Sequence, residues 1–185
     1  MFKGAGAIGT VLAVSACAGS QSVLLESAGS LQEARTELGP SREFNHFASG
    51  KDLYTEIYGN PFGMDDNEFR NEITGILNAR NSLVPTNFTV KPGPSADPAY
   101  RAVLVFNGAG HYNGWTLCRG PKFLGTRPQK GNRIKIDMAF CNGRDELHSV
   151  TGTLPATASP SDPSFENSLA LTLALAQPTD ESSGN

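Results

Sequence analysis

Residues Arg133 to Cys141 alternate without a break. Ile134, Ile136, Met138 and Phe140 fall on one side, and Lys135, Asp137 and Ala139 on the other. A period of two is the mark of a pleated strand with one buried face. Asn142-Gly143 follows at once. That pair suits the left-handed backbone of a short hairpin loop, so the chain is expected to return through Glu146 to Leu154. Such a hairpin has to bury its Ile/Met/Phe face, and the rest of the chain must supply the cover.

Two segments have the right pattern. Asp65 can cap a helix, with Glu68 three residues on as in a capping box, and Phe69, Ile73, Ile76 and Leu77 then share one face up to Arg80. Asp162-Pro163-Ser164 can open a second helix with Phe165, Leu169, Leu173 and Ala176 on one face. Leu169, Leu171, Leu173 and Leu175 also alternate as a strand would, but Leu and Ala favour the helix. Further strands are expected at Asp52–Tyr58, Asn87–Lys91, Tyr100–Phe106 and Trp115–Cys118. Tyr100–Phe106 is apolar on both faces in its second half, which places it centrally. Twenty Gly and twelve Pro favour turns and strands over a helical bundle. The expected class is α+β: a mostly antiparallel sheet of about five or six strands with two helices.

The N-terminus carries a different signal. Met1-Phe2-Lys3 is cationic, Gly4 to Val14 is an uncharged stretch of small and apolar residues, and Val14-Ser15-Ala16-Cys17 closes it. These twenty or so residues resemble the signal and lipobox of bacterial lipoproteins. The resemblance implies cleavage before Cys17, a diacylglycerol on its thiol and an acyl chain on its new amino group. Two or three acyl chains hold a soluble domain at a membrane where one would not. Ala18 in place of Asp implies sorting to the outer membrane, facing the periplasm. The division expected is a signal peptide over 1–16, a lipidated tether over 17–50, a domain over 51–176 and a disordered tail over 177–185. Around Gly59-Asn60-Pro61-Phe62 and Phe140-Cys141-Asn142-Gly143 the domain loosely resembles uncharacterised bacterial envelope proteins, which implies no activity.

Once Cys17 is lipidated, Cys118 and Cys141 remain. In an oxidising compartment an even pair reads as a disulfide. A hairpin centred between Gln129 and Lys130 would set them opposite each other, although Gly120-Pro121 and Pro128 interrupt that ribbon. Two buried thiols are the other reading.

Chemistry beyond the anchor is sparse. The net charge of −3 has the wrong sign for a protein that neutralises phosphates, so nucleic acid is not an expected partner. No run of eighteen apolar residues exists. His46, His111 and His148 lack metal-ligand spacing, and no nucleophile motif or cofactor fingerprint occurs, so no cofactor, metal or catalytic residue is assigned. The most site-like segment runs from Asn107 through His111, Tyr112 and Asn113 to Trp115. It is either a glycine-rich connection whose Trp plugs the core or a loop whose aromatic faces and amides bind a sugar or peptide. Lys122, Arg127, Lys130 and Arg133 form a small cationic patch. The expected role is a binding or structural accessory module of the envelope. An envelope hydrolase built on the His111 loop, or an assembly partner pairing through a strand edge, is the alternative. Expected partners are the membrane, through Cys17, and an envelope protein or glycan.

Overall fold

The computed structural model describes residues 21–22, 40–120, 122 and 124–179. The expected signal peptide over 1–16, Cys17 and residues 180–185 lie outside the described residues. The expected hairpin is present as β5 (Arg133–Asn142) and β6 (Asp145–Pro155), joined through Gly143 and Arg144. Gly143 has φ +58°, a conformation that a side chain would strain. A register shift beside Phe140 and Cys141 bulges the hairpin near its tip.

Four further strands complete the sheet: β1 (Gln21–Ser22), β2 (Lys51–Tyr58), β3 (Thr86–Thr89) and β4 (Tyr100–Phe106). Their order is β1-β6-β5-β4-β2-β3. β4 is central, as its apolar run demands, and its residues Ala102 to Phe106 are fully buried. The class is α+β, but the sheet is mixed rather than mostly antiparallel. β2 runs parallel to both β3 and β4, whereas β4, β5 and β6 are antiparallel. The parallel pair follows from connectivity. A strand, a long helix and a strand in succession bring the chain back in the same direction.

There are four helices among the described residues, not two: α1 (Arg42–Ala48), α2 (Asp66–Arg80), α3 (Gly114–Cys118) and α4 (Pro163–Ala176). In α2 the Asp65 carboxylate accepts the N–H groups of Asn67 and Glu68, at 2.9 and 3.0 Å. Asp162 caps α4 by accepting from Ser164 at 2.8 Å. The helical reading of α4 holds because Phe165, Leu169, Leu173 and Ala176 are all buried together, which a strand would not achieve. Helices α1, α2 and α4 contribute to one core with the Ile134, Ile136, Met138 and Phe140 face of β5. Between the helices, Arg80 pairs with Glu166 at 2.6 Å and Gln177 Nε2 donates to Asn81 Oδ1 at 2.9 Å.

The packed unit starts and ends beyond 51–176. Phe44 and Phe47, assigned to the tether, are buried: Phe44 meets Phe140 edge-on at 5.0 Å, and Phe47 stacks on Tyr100 at 3.9 Å. Of the expected tail, Gln177 and Thr179 are buried, and Pro178 accepts the Ser41 N–H at 2.9 Å. Residues 40–179 therefore form one unit. Spacing alone hid α1, because it is only two turns long.

The opposite face of the sheet has a smaller core of Val103, Val105, Leu117, Cys118, Ala139 and Cys141. Its cover is α3 and the irregular connection from Asn107 to Asn132. Trp115 to Cys118 is thus helical rather than a strand. The Asn113 side chain caps it by accepting from Thr116 N at 2.9 Å. Cys118 is joined to Cys141, with sulfurs 1.96 Å and Cα atoms 5.5 Å apart. The two do not meet across a ribbon, since β5 is flanked by β4 and β6. Cys118 reaches Cys141 from above the sheet.

Candidate functional site

Among the described residues, polar side chains gather along the irregular connection after β4 and around a cleft at the ends of β2 and β4. The first is the connection that covers the smaller core. Asn107 follows β4 with φ +50°, the one positive φ outside glycine among the described residues. Both ends of its amide are engaged: Nδ2 donates to Gln129 Oε1 at 2.6 Å, and Oδ1 accepts from Lys135 N at 3.0 Å. The Tyr112 hydroxyl donates to Gly125 O at 2.9 Å and accepts from Gly125 N at 2.8 Å. With Asn113 committed as a helix cap, three of the five expected loop residues hold the loop itself. The other two face solvent. His111 is exposed and makes no ion pair among the described residues. Trp115 is 53% exposed, so it does not plug the core; the Arg119 guanidinium lies 3.5 Å above its ring. Lys122, Arg127, Lys130 and Arg133 are all exposed.

Under this cover lies a group that the alternating pattern placed on the polar side of β5. Asp137 is fully buried. Its Oδ1 accepts from the Thr151 hydroxyl at 2.7 Å, and its Oδ2 stands 2.9 Å from Lys135 Nζ, which also donates to Gly110 O at 3.1 Å. A buried carboxylate needs such partners. Nearer β2, Glu56 is shared between the Arg101 guanidinium at 3.2 Å and the Tyr58 hydroxyl at 2.6 Å. Burial, and then the hydrogen bond and charge of Glu56, raise the Tyr58 hydroxyl well above its usual pKa. Arg101 also donates to Gly143 O and to Cys118 O, tying β4 to the hairpin tip and to α3.

The second place is a cleft of about 270 Å³ beyond the carboxyl ends of β2 and β4, lined by Gly59, Asn60, Asp66, Phe69, Arg70 and Thr126 among others. Gly59 has φ +79°, and a Cβ there would drive into the Phe106 carbonyl, so the loop leaving β2 can pass close to β4 only as glycine. Asn60 Nδ2 donates to Met64 O at 2.7 Å and to Asp66 Oδ1 at 3.0 Å. After β2 the chain turns toward β3, whereas after β4 it turns toward β5. Such a switch point between parallel strands is a common place for ligands in open sheets. The cleft mixes a carboxylate, a guanidinium and an amide around the Phe69 ring, which suits a small polar ligand better than an apolar one. Sequence reasoning missed it, although the signal was there: Gly59-Asn60-Pro61 followed by the Asp65 cap is a strand-to-helix loop.

Among the described residues, no group of three or more His, Cys, Asp or Glu side chains is placed to hold a metal, and no helix is long and apolar enough to cross a membrane. Compared with known families, curated proteins and solved structures, the chain matches none.

Proposed function

We propose that this chain is a lipid-anchored protein of the bacterial cell envelope. In this reading Cys17 is acylated, the protein sits on the periplasmic face of the outer membrane, and unit 40–179 acts as a binding or structural accessory module. The observation that carries the reading is the division of the three cysteines. Cys118 and Cys141 stand at bonding distance inside the unit, and Cys17 closes Val14-Ser15-Ala16-Cys17. A disulfide persists in an oxidising compartment, which is where a lipobox would deliver the chain. The surfaces available to a ligand are the cleft at the ends of β2 and β4 and the exposed face of Trp115. The hydrolase alternative gains nothing from His111, which stands exposed and away from any ion pair among the described residues.

Intact mass spectrometry of protein extracted from envelope membranes tests this. The expected product begins at Cys17 and carries two or three acyl chains, with Cys118 and Cys141 oxidised. A product that retains Met1, or one that begins at an unmodified Cys17, overturns the anchor.

A further inference from the structure

Among the described residues, β1 is the outermost strand on the hairpin side of the sheet and lies against β6. Ten of the eleven residues of β6 pair with β5 on one side. On the other side Val150 and Thr151 are taken by Gln21 and Ser22 of β1, running parallel. Those two residues follow Cys17 by only four positions. An edge strand presents unpaired N–H and C=O groups that invite an added strand, and an extended segment satisfies them through its main chain whatever its side chains. We propose that the stretch after Cys17 is a docking strand: it adds to the β6 edge and thereby holds that edge of the sheet toward the membrane. The inference rests on the acylation of Cys17 proposed above and extends it to the orientation of the whole unit.

Chain reach decides between a leash and a clamp. Four residues span at most about 14 Å. Were the chain unpaired up to Pro40, the 23 residues after Cys17 would reach as far as about 80 Å and would leave orientation free. With β1 docked, β6 stays within one short peptide of the lipid headgroups. In the order β1-β6-β5-β4-β2-β3, the β3 edge lies four strand spacings further away, about 19 Å. A partner that adds a strand at β6 would have to displace β1, so the strand-edge alternative becomes a competition with the protein's own N-terminal segment.

The test has two arms. In solution, on the full mature chain with Cys17→Ser, hydrogen exchange of residues 149–152 is compared with that of the Ser22→Pro and Gln21→Pro variants, which interfere with pairing of the segment. Exchange is expected to accelerate roughly tenfold in at least one variant, and unchanged exchange in both overturns the docking strand. On vesicles of phosphatidylethanolamine and phosphatidylglycerol carrying nitroxide headgroups, the acylated protein bears a fluorophore at Thr153→Cys or at Lys91→Cys. Quenching is expected to be at least about twofold stronger at 153, on β6, than at 91, beyond β3, given their separation; Ser22→Pro should abolish the difference while the protein stays bound. Equal quenching at the two sites overturns the orientation. An unacylated Cys17 in the native product overturns the anchor by itself, and the solution arm still rules on the docking strand.

Discussion

The two faces of the sheet are covered by different means. On one face, helices α1, α2 and α4 bury Phe44, Phe47, Phe69, Phe88, Phe106, Phe140 and Phe165 in a single core. On the other, the smaller core lies under the five-residue helix α3 and an irregular connection. There the cover is held by a disulfide, an ion pair between half-buried Lys135 and buried Asp137, and side chains bonded to loop backbone. A helix satisfies its own backbone and offers a whole stripe to the core, so apolar burial suffices to dock it. An irregular segment leaves its backbone groups unpaired and has few apolar contacts, so it needs covalent and polar fastening. The face with the weaker packing is also the one that presents Trp115 to solvent, with the Arg119 guanidinium over its ring.

The sharpest way to break this contrast is to remove one group from each face. Phe140→Ala should cost about 4 kcal/mol by denaturant unfolding and loosen the whole unit, because Phe140 is buried against Phe44 and Phe88. Replacing Cys118 and Cys141 by Ala should cost about 3 kcal/mol, from the freedom returned to a 24-residue loop. That loss should appear first as faster hydrogen exchange across 107–132, with α2 and α4 still protected, and as a change in the emission of Trp115, the sole tryptophan. If reduction loosened both faces together, the contrast would fail.

Smaller effects sharpen it further. Lys135→Met removes the cation from the buried Asp137 carboxylate. It should cost about 2 kcal/mol, less than breaking a fully buried pair, because Lys135 is partly hydrated. Tyr58 predicts a pH effect of definite sign. Its raised pKa means that the folded form keeps a proton which the unfolded chain releases above about pH 10. This contribution is intact below that value and is lost as pH rises through the folded pKa. Tyr58→Phe should lower neutral stability by about 1 kcal/mol and flatten the alkaline decline, followed by thermal melts and tyrosinate absorbance. The smallest effect belongs to Asp52. The Asn87 side chain, and then the Gly93 N–H, hold its carboxyl below the usual value. Its contribution is present above the unfolded pKa and lost as pH falls through the folded one. Asp52→Asn should therefore weaken the acid dependence of exchange at the β2–β3 edge and leave overall stability almost unchanged.

Local pattern carried far in this chain. The alternation at Ile134–Phe140, the Asn142-Gly143 turn, the Asp65 and Asp162 caps and the buried faces of α2 and α4 are all legible residue by residue, because each depends on neighbours within a few positions. What lay beyond reach depends on distant partners. Phe44 and Phe47 read as part of a tether because two turns of helix leave too short a period. Trp115–Cys118 read as a strand because four residues do not distinguish the two periodicities. The site readings suffered in the same way: Asn107, Tyr112 and Asn113 have the composition of a binding loop, and only their hydrogen bonds identify them as its scaffolding.

The amino-acid order by itself determined the α+β class, the hairpin, the two long helices and their caps, since these follow from backbone propensity and the spacing of apolar side chains. Only the tertiary structure decided that β2 lies parallel to β3 and β4, that Asp137 is buried, that Cys118 meets Cys141 from above the sheet, and that a cleft opens where the chain parts in two directions. Strand direction, burial of a charge and the meeting of two sulfurs are set by contacts between residues far apart in sequence, and local periodicity holds no record of those.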